Sequence, residues 1–405
     1  MIHGDEIPIG SMVPLTGRSA NDGREFRNGL ILAIDEINER GGILGRRIRP
    51  VFFDTVDQTA KEVVRAANTL IHDHNVHAII NGYNIGAQNS EYEPIADAGI
   101  IYIHHNTLLQ HHDTVMSDPN RYFGCFMGDP SEYWYGQGFI KFISWLRDTG
   151  QWKPHNRKIA IISGPKPYSI VIANAMASVS PQFGWELPFT PRIARSMEND
   201  WRTVLDEVRE HDPAVLAVTQ FHAGDLANFQ LQFMENPLRC LLYLQYGALH
   251  RSFANMVGSK GRGAIVGTVI GLLRDDLGRV FAEKYKTKFG QYSTPEIGCQ
   301  PYSSMHHYAI AAAVAGGTSP PGGRATNQKI AQNLRELSYR SVSGMIRYHP
   351  KWQAVVPYPD ATPDPSLGLP HLFYQLRGPE DEPALIAPQP FADAHFTVPP
   401  WLMPA

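Results

Sequence analysis

The sequence predicts an α/β protein built as two doubly wound lobes joined by three crossover segments. In the first third of the chain short apolar runs alternate with segments of helical period, the pattern of right-handed βαβ crossovers on a parallel sheet. The alternation restarts after a break near Phe123 to Pro130. Further helical segments follow residue 275, more than the second set of strands needs, so each lobe should draw on discontinuous stretches of chain. At 405 residues the chain exceeds one ordinary core and suits two.

Taken in order, Ile7 to Val13 is mostly apolar, as a strand buried on both faces should be. A small polar loop, Thr16 to Gly23, leads to a helix whose face carries Leu30, Ala33, Ile34 and Ile37. Gly41-Gly42 supplies the left-handed residues that end it. Ile48 to Phe53 reads as the second strand, and Val63, Ala67, Leu70 and Ile71 line the second helix. Ala78 to Ile80 is a third strand, Gln88 to Ala96 a third helix, and Ile100 to Ile103 a fourth strand. In the second set, Lys158 to Ser163 is a strand, residues 169–180 a helix rich in small residues, and Trp185 to Thr190 a short strand. Trp201, Val204, Leu205 and Val208 form one helix face, followed by strands at Ala214 to Val218, Leu241 to Leu244 and Ala264 to Ile270. Residues 275–289, 301–315 and 326–337 are helical.

Crossings are expected near residues 124–130, 268–273 and 341–348. Residues 1–125 and 272–342 then form an N-terminal lobe, and 126–271 with 343–371 a C-terminal lobe. Prolines from Pro357 onward break any long helix, leaving Leu372 to Leu376 as the one clear strand there. Residues 372–405 form a Pro-rich C-terminal extension, and apart from that strand the stretch is expected to wrap over the surface in extended conformation.

Composition narrows the function classes. The formal net charge is −3 with both signs dispersed, and no basic stripe of the kind that phosphate backbones require is present. Nucleic acid is not an expected partner. No apolar run reaches the roughly 18 residues that span a bilayer, so no direct membrane insertion is expected. The first residues, Met1 to Glu6, lack the basic and apolar regions of a signal peptide, which leaves a secreted protein after signal removal or a cytoplasmic one. Cys125, Cys240 and Cys299 fit no metal spacing and read as buried free thiols.

Catalytic signatures are lacking. The chain has no G-x-S-x-G elbow and no phosphate loop, and Gly261 to Gly267 enters a strand where a dinucleotide loop would leave one. His104-His105 and His111-His112-Asp113 are the richest candidates for chemistry, but adjacent histidines point in different directions and lack ligand spacing. His72-Asp73-His74 ends a helix, and His306-His307 lies inside one. No metal and no cofactor is expected.

The carboxyl ends of the strands carry a more coherent signal, because ligands of open α/β sheets bind beyond those ends. In the first half these positions hold Arg18 and Ser19, then Tyr83, Asn84, Ile85 and Gly86, then His104, His105, Asn106 and Thr107. In the second half they hold Tyr168, Gln220 with Phe221, and Gln245 with Tyr246. Apart from Arg18 and the histidines the set is uncharged and rich in amide, hydroxyl and aromatic groups. Such groups orient a small polar ligand by hydrogen bonds and stacking. The set holds no carboxylate pair and no activated nucleophile.

Ile9 to Gly17, Gly29 to Asn38, Gly41 to Arg46 and Ala96 to Ile101 resemble the type I periplasmic solute-binding proteins of the leucine/isoleucine/valine-binding family. The resemblance covers residues 7–345, and the closing stretch looks like the amide- and urea-binding branch. It implies a Venus-flytrap fold with three hinge strands, no catalysis, and capture of a small ligand in the interlobe cleft for delivery to the membrane permease of an ABC importer. It also implies a periplasmic location. Residue by residue, Tyr83 to Gly86 and His104 to Thr107 match the family's N-lobe ligand loops, and Tyr168, Phe221 and Tyr246 its C-lobe contacts. Two departures bear on the ligand. Amino-acid binders place an acid where this chain has Gln245-Tyr246, and small hydroxyl residues where it has Ile85-Gly86. An unpaired buried ammonium costs several kcal/mol, so an amide, urea-like or carboxylate compound fits better than an ordinary amino acid. The alternatives are a cytoplasmic amide-type sensor and, third, a metal-dependent enzyme.

Overall fold

The structure, a computed structural model, describes residues 6–193 and 200–403. The chain forms two units, Met1–Ser131 with Ile270–Pro370 and Glu132–Val269 with His371–Ala405. It therefore passes between them three times.

The first unit begins with β1 (Ile7–Val13), α1 (Ala20–Glu39), β2 (Ile48–Asp54), α2 (Ala60–His72), β3 (Ala78–Ile80), α3 (Tyr92–Ala98), β4 (Ile101–His104), α4 (Gln110–Ser117) and β5 (Cys125–Met127). The second takes α5 (Tyr133–Asp148), β6 (Ile159–Ser163), α6 (Pro167–Val179), β7 (Arg192–Ile193), α7 (Arg202–Glu210) and β8 (Val215–Val218). It continues with α8 (Ala223–Phe233), β9 (Leu241–Gln245), α9 (Arg251–Val257) and β10 (Ile265–Thr268). The chain returns to the first unit through α10 (Asp276–Phe289), α11 (Pro295–Val314), α12 (Arg324–Glu336), β11 (Tyr339–Ser341), β12 (Gly344–Ile346), β13 (Pro357–Tyr358) and β14 (Leu369–Pro370). It ends in the second with β15 (Leu372–Gln375) and β16 (Ala384–Ala387).

The first sheet is fully parallel in the order β2-β1-β3-β4-β5. Helices cover both faces, so alternate residues of one strand enter two different cores. Ile101 and Ile103 join Leu30, Ile34 and Met305, whereas Tyr102 joins Leu70, Ile79 and Tyr92. Local signals agree with this packing. Thr59 and Glu62 form a capping box at the start of α2. Helices α1 and α11 cross with Gly29 against Gly298, where a Cβ on Gly29 would stand 1.9 Å from the Gly298 carbonyl oxygen. The second sheet runs β16-β15-β10-β9-β8-β6-β7, with β15 antiparallel to both its neighbours, β10 and β16, and the remaining pairs parallel.

Several expectations need correction. The third helix does not begin at Gln88: Gln88 and Asn89 have φ of 48° and 61°, left-handed values that hold α3 back to Tyr92. Trp185 to Thr190 contributes only an isolated bridge, Lys158 with Glu186, and the strand there is β7. Helix α11 runs through Pro301 from a start at Pro295, its buried face against α1 outweighing one lost backbone hydrogen bond. Helices α4 and α5 and strand β5 were not anticipated.

The domain bounds also shift. Residues 343–370 belong to the first unit, not the second, because the β11–β12 hairpin and bridges Met127–Ala354 and Tyr348–Val355 fasten them there. The tail is a surface wrap only in part: residues 389–403 are mostly exposed or half-buried, but Ala384–Ala387 adds an unexpected buried strand beside the expected one. β15 pairs with β10 from Ile265–Gln375 to Thr268–Leu372, and β15 and β16 are buried. The Trp401 indole N–H donates to the Cys240 carbonyl at 2.9 Å, docking the last turn on the second core.

Candidate functional site

In the first unit the predicted residues sort by burial. Arg18 and Gly86 are exposed, and Ser19, Tyr83 and Ile85 half-buried. The Tyr83 hydroxyl donates to Asp22 at 2.5 Å while its ring meets Phe26 edge-on. Ile85 and Gly86 form a single 3-10 turn.

Asn84, His104 and Asn106 are fully buried and bonded to the protein itself. Asn84 donates to the Met12 carbonyl and accepts from the Thr55 hydroxyl, which ties the β3 loop to β1 and β2. The Asn106 side chain accepts from the Asn84 N–H at 2.8 Å and donates to Asn89 at 2.8 Å and Glu91 at 3.3 Å. One amide thus locks the two predicted ligand loops together. Thr107 follows in a left-handed conformation, φ 56°.

The two adjacent histidines diverge because strand side chains alternate. His104 continues the Tyr102 side, where its ring meets the Tyr92 hydroxyl, which also bonds His111 at 2.7 Å. Burial holds His104 well below the ordinary histidine pKa and His111 down to about 3. Glu91 accepts from the Tyr102 hydroxyl at 2.7 Å, yet burial still raises its pKa.

His105 takes the opposite side. Its Nδ1 lies 2.8 Å from Asp129 and its Nε2 is 3.0 Å from the Ser304 hydroxyl, with Gln300 donating to Asp129 at 2.9 Å. Burial raises the Asp129 pKa against the pull of His105. The connectivity is that of a Ser-His-Asp relay. Ser304 is fully buried, however, so its hydroxyl offers a substrate no approach, and the relay reads as a polar clamp between α11 and the end of β5. A small pocket within this unit is lined by His105, Asp129, Gln300, Ser303 and Ser343.

In the second unit Tyr168 starts α6 after β6, Phe221 follows β8, and Tyr246 follows β9. Gln220 turns back, donating to Asp225 at 2.9 Å and accepting from the Phe221 N–H at 3.2 Å. Gln245 is buried and donates to the Tyr243 hydroxyl at 3.2 Å, leaving Tyr246 as the half-buried member of that pair. The three aromatic rings converge: Tyr168 is edge-on to Phe221 at 5.4 Å and to Tyr246 at 6.3 Å, and Phe221 and Tyr246 lie 6.2 Å apart, 17° from parallel.

Sequence reasoning passed over Asp22, Glu91, Asp129 and Ser304. Only Asp129 carried a usable signal, since it follows a strand end once β5 is recognised. Among the described residues no cluster of three or more His, Cys, Asp or Glu side chains could hold a metal ion. No helix among them is long and apolar enough to cross a membrane.

Residues 6–358 match the periplasmic binding protein family. The chain belongs to the type I periplasmic binding proteins. A Silicibacter pomeroyi protein assigned to a branched-chain amino acid ABC transporter is 42% identical over 98% of this chain and 100% of its own, with a TM-score of 0.96. The LivJ substrate-binding protein of Streptococcus pneumoniae, solved with isoleucine, shares the fold at a TM-score of 0.71 and 16% identity, over 95% of this chain and 100% of its own. Among curated relatives, the Leu/Ile/Val-binding protein BraC3 of Rhizobium johnstonii is 32% identical over 25% of this chain, an alignment spanning about a quarter (27%) of its own length. Leu/Ile/Val-binding protein homolog 1 of Brucella abortus is 23% identical over 87% of this chain and 88% of its own.

Proposed function

We propose that this chain is the solute-binding component of an ABC importer, capturing a small polar ligand with its strand-end loops and handing it to a membrane permease. Full-length similarity to a protein assigned to branched-chain amino acid ABC transport supports the transport role. The observation that carries the reading is the character of the loops, which offer hydroxyl, amide and aromatic groups without an activated nucleophile. On this reading the candidate ligand contacts of the first unit are Tyr83, Ile85 and Gly86, and those of the second unit, taken by itself, are Tyr168, Phe221 and Tyr246.

The ligand is read as a compound that needs no acid for a primary amine. Gln245 faces inward, Tyr246 carries no charge, and one Asp225 oxygen accepts from Gln220. Asp364, in the C-terminal stretch, is bonded to Ser366 of its own turn. Calorimetry with leucine, isoleucine and valine against their amides and keto acids tests this. The amides or keto acids should bind and the amino acids should not. Micromolar binding of the amino acids alone, about −8 kcal/mol, overturns the ligand class.

A further inference from the structure

Just past the carboxyl ends of β4 and β5, His105 and Asp129 line a small pocket together with Gln300 and Ser303 of α11. Every residue that lines it belongs to the first unit. The pocket has room for about one water-sized group. Ile270 and Gly271 are its least buried lining residues and mark its open side. This is the end of the sheet at which ligands of open α/β folds bind.

The polar lining is buried and held in place. Gln300, Ser303 and Ser304 stand at i, i+3 and i+4 on α11 and share one helical face. Gln300 donates to Asp129 at 2.9 Å, and His105 Nδ1 lies 2.8 Å from the same carboxylate. Both contacts fall on one oxygen, Oδ2. A carboxylate accepts at both oxygens, which leaves Oδ1 for a further donor. Burial raises the Asp129 pKa, while His105 and Gln300 pull it down and favour the ionised, accepting form. The Ser303 hydroxyl is buried and has no partner among the described residues. A buried hydroxyl without a partner costs free energy, which a hydrogen bond from a ligand removes.

This lining selects its guest by charge and by donor count. A carboxylate placed here would set its own charge against that of Asp129. An ammonium would have to bring a full charge out of water into a pocket of this size. A neutral NH2 group is water-sized, carries two N–H donors and has no charge to desolvate.

We propose that this pocket takes the NH2 end of the ligand, with Asp129 and Ser303 accepting its N–H groups, which makes the ligand a primary amide. The inference rests on the solute-binding reading above and narrows it. The test is calorimetry on the full chain with acetamide, benzamide and 4-methylpentanamide, each paired with the carboxylate of the same shape: acetate, benzoate and 4-methylpentanoate. At least one amide should bind, about tenfold or more tighter than its carboxylate. Asp129→Asn keeps an oxygen toward Gln300 and turns its own NH2 toward the pocket. It should weaken that amide about tenfold and reduce or reverse the preference. Ser303→Ala removes a hydroxyl without a partner among the described residues, and should weaken the amide about threefold or more while leaving the thermal midpoint in place. A carboxylate that binds as tightly as its amide overturns the inference. So does an unchanged preference in Asp129→Asn or, should that variant not fold, an unchanged amide affinity in Ser303→Ala. Binding of leucine or a keto acid with no heat from any amide also overturns it, and solute binding then stands. No heat from any of these compounds overturns both readings.

Discussion

Lowering the pH from 7 to 5 should cost the protein stability at its buried histidines, and His307 isolates the effect. Its ring is fully buried in α11, stacked against Tyr339 and Tyr348, with Nε2 3.2 Å from the Leu337 carbonyl. Burial pushes its pKa from 6.5 down to about 4, against the pull of that carbonyl. A depressed folded pKa means that the unfolded chain takes up the proton first, so stability is present above about 6.5 and lost as the pH falls toward 4. At pH 5 the gap is about 1.5 units on the unfolded side while the folded imidazole stays mostly neutral, a loss of about 2 kcal/mol. Below about pH 4 the loss levels off, because the folded state then binds the proton as well. His111 and His112, held at about 3 and about 4, act in the same direction. Glu91 and Asp129 oppose them: with raised pKa values, their contribution is full at low pH and fades as the pH rises. Comparing His307→Gln with the parent chain cancels these other groups. Urea unfolding at pH 7 and pH 5 should show the variant losing about 2 kcal/mol less than the parent between the two. Equal losses would refute the burial argument for this ring.

Two further outcomes follow from buried polar groups. Asn106→Ala leaves the Asn84 N–H and the Asn89 amide oxygen without their partner, and should cost roughly 2–4 kcal/mol in urea unfolding; a cost below about 1 kcal/mol would show that the loops are not held by this amide. Cys125, Cys240 and Cys299 are buried with thiol pKa values pushed up by burial, that of Cys299 to about 12, so a thiol reagent at pH 8 should label the folded chain slowly and all three only in denaturant; rapid labelling of the native protein would contradict this.

Periodic elements were legible because burial on both sheet faces forces apolar runs, and amphipathic helices force a 3.6-residue spacing. Strands β1, β3 and β8 and helices α1, α2 and α7 all carry that mark. Helix α5 was missed although Tyr135, Phe139, Ile143 and Leu146 are buried along it, because its aromatic residues spread around the helix and blur the stripe. The start of α3 was misplaced because a left-handed pair at Gln88 and Asn89 leaves little trace in residue type. Within the loops, the position after each strand was readable from sequence, but the direction of each side chain was not. His104 and His105 are neighbours in sequence and belong to opposite faces of one sheet.

By itself the sequence determined the class of fold, the strand ends at which loops gather, and the family, since these follow from local period and short motifs. Tertiary structure alone decided which loop residues face outward and which hold the loops together. Asn84, Asn106 and Gln245 look like ligand contacts by type, and their amides are bonded within the protein, because a buried polar group must find its partners before the chain can close around it. The same holds for the tail. The strand at Leu372 to Leu376 was legible, but its partner was not: the open edge of β10 takes it, since unpaired backbone at a sheet edge is satisfied by whatever chain can reach it.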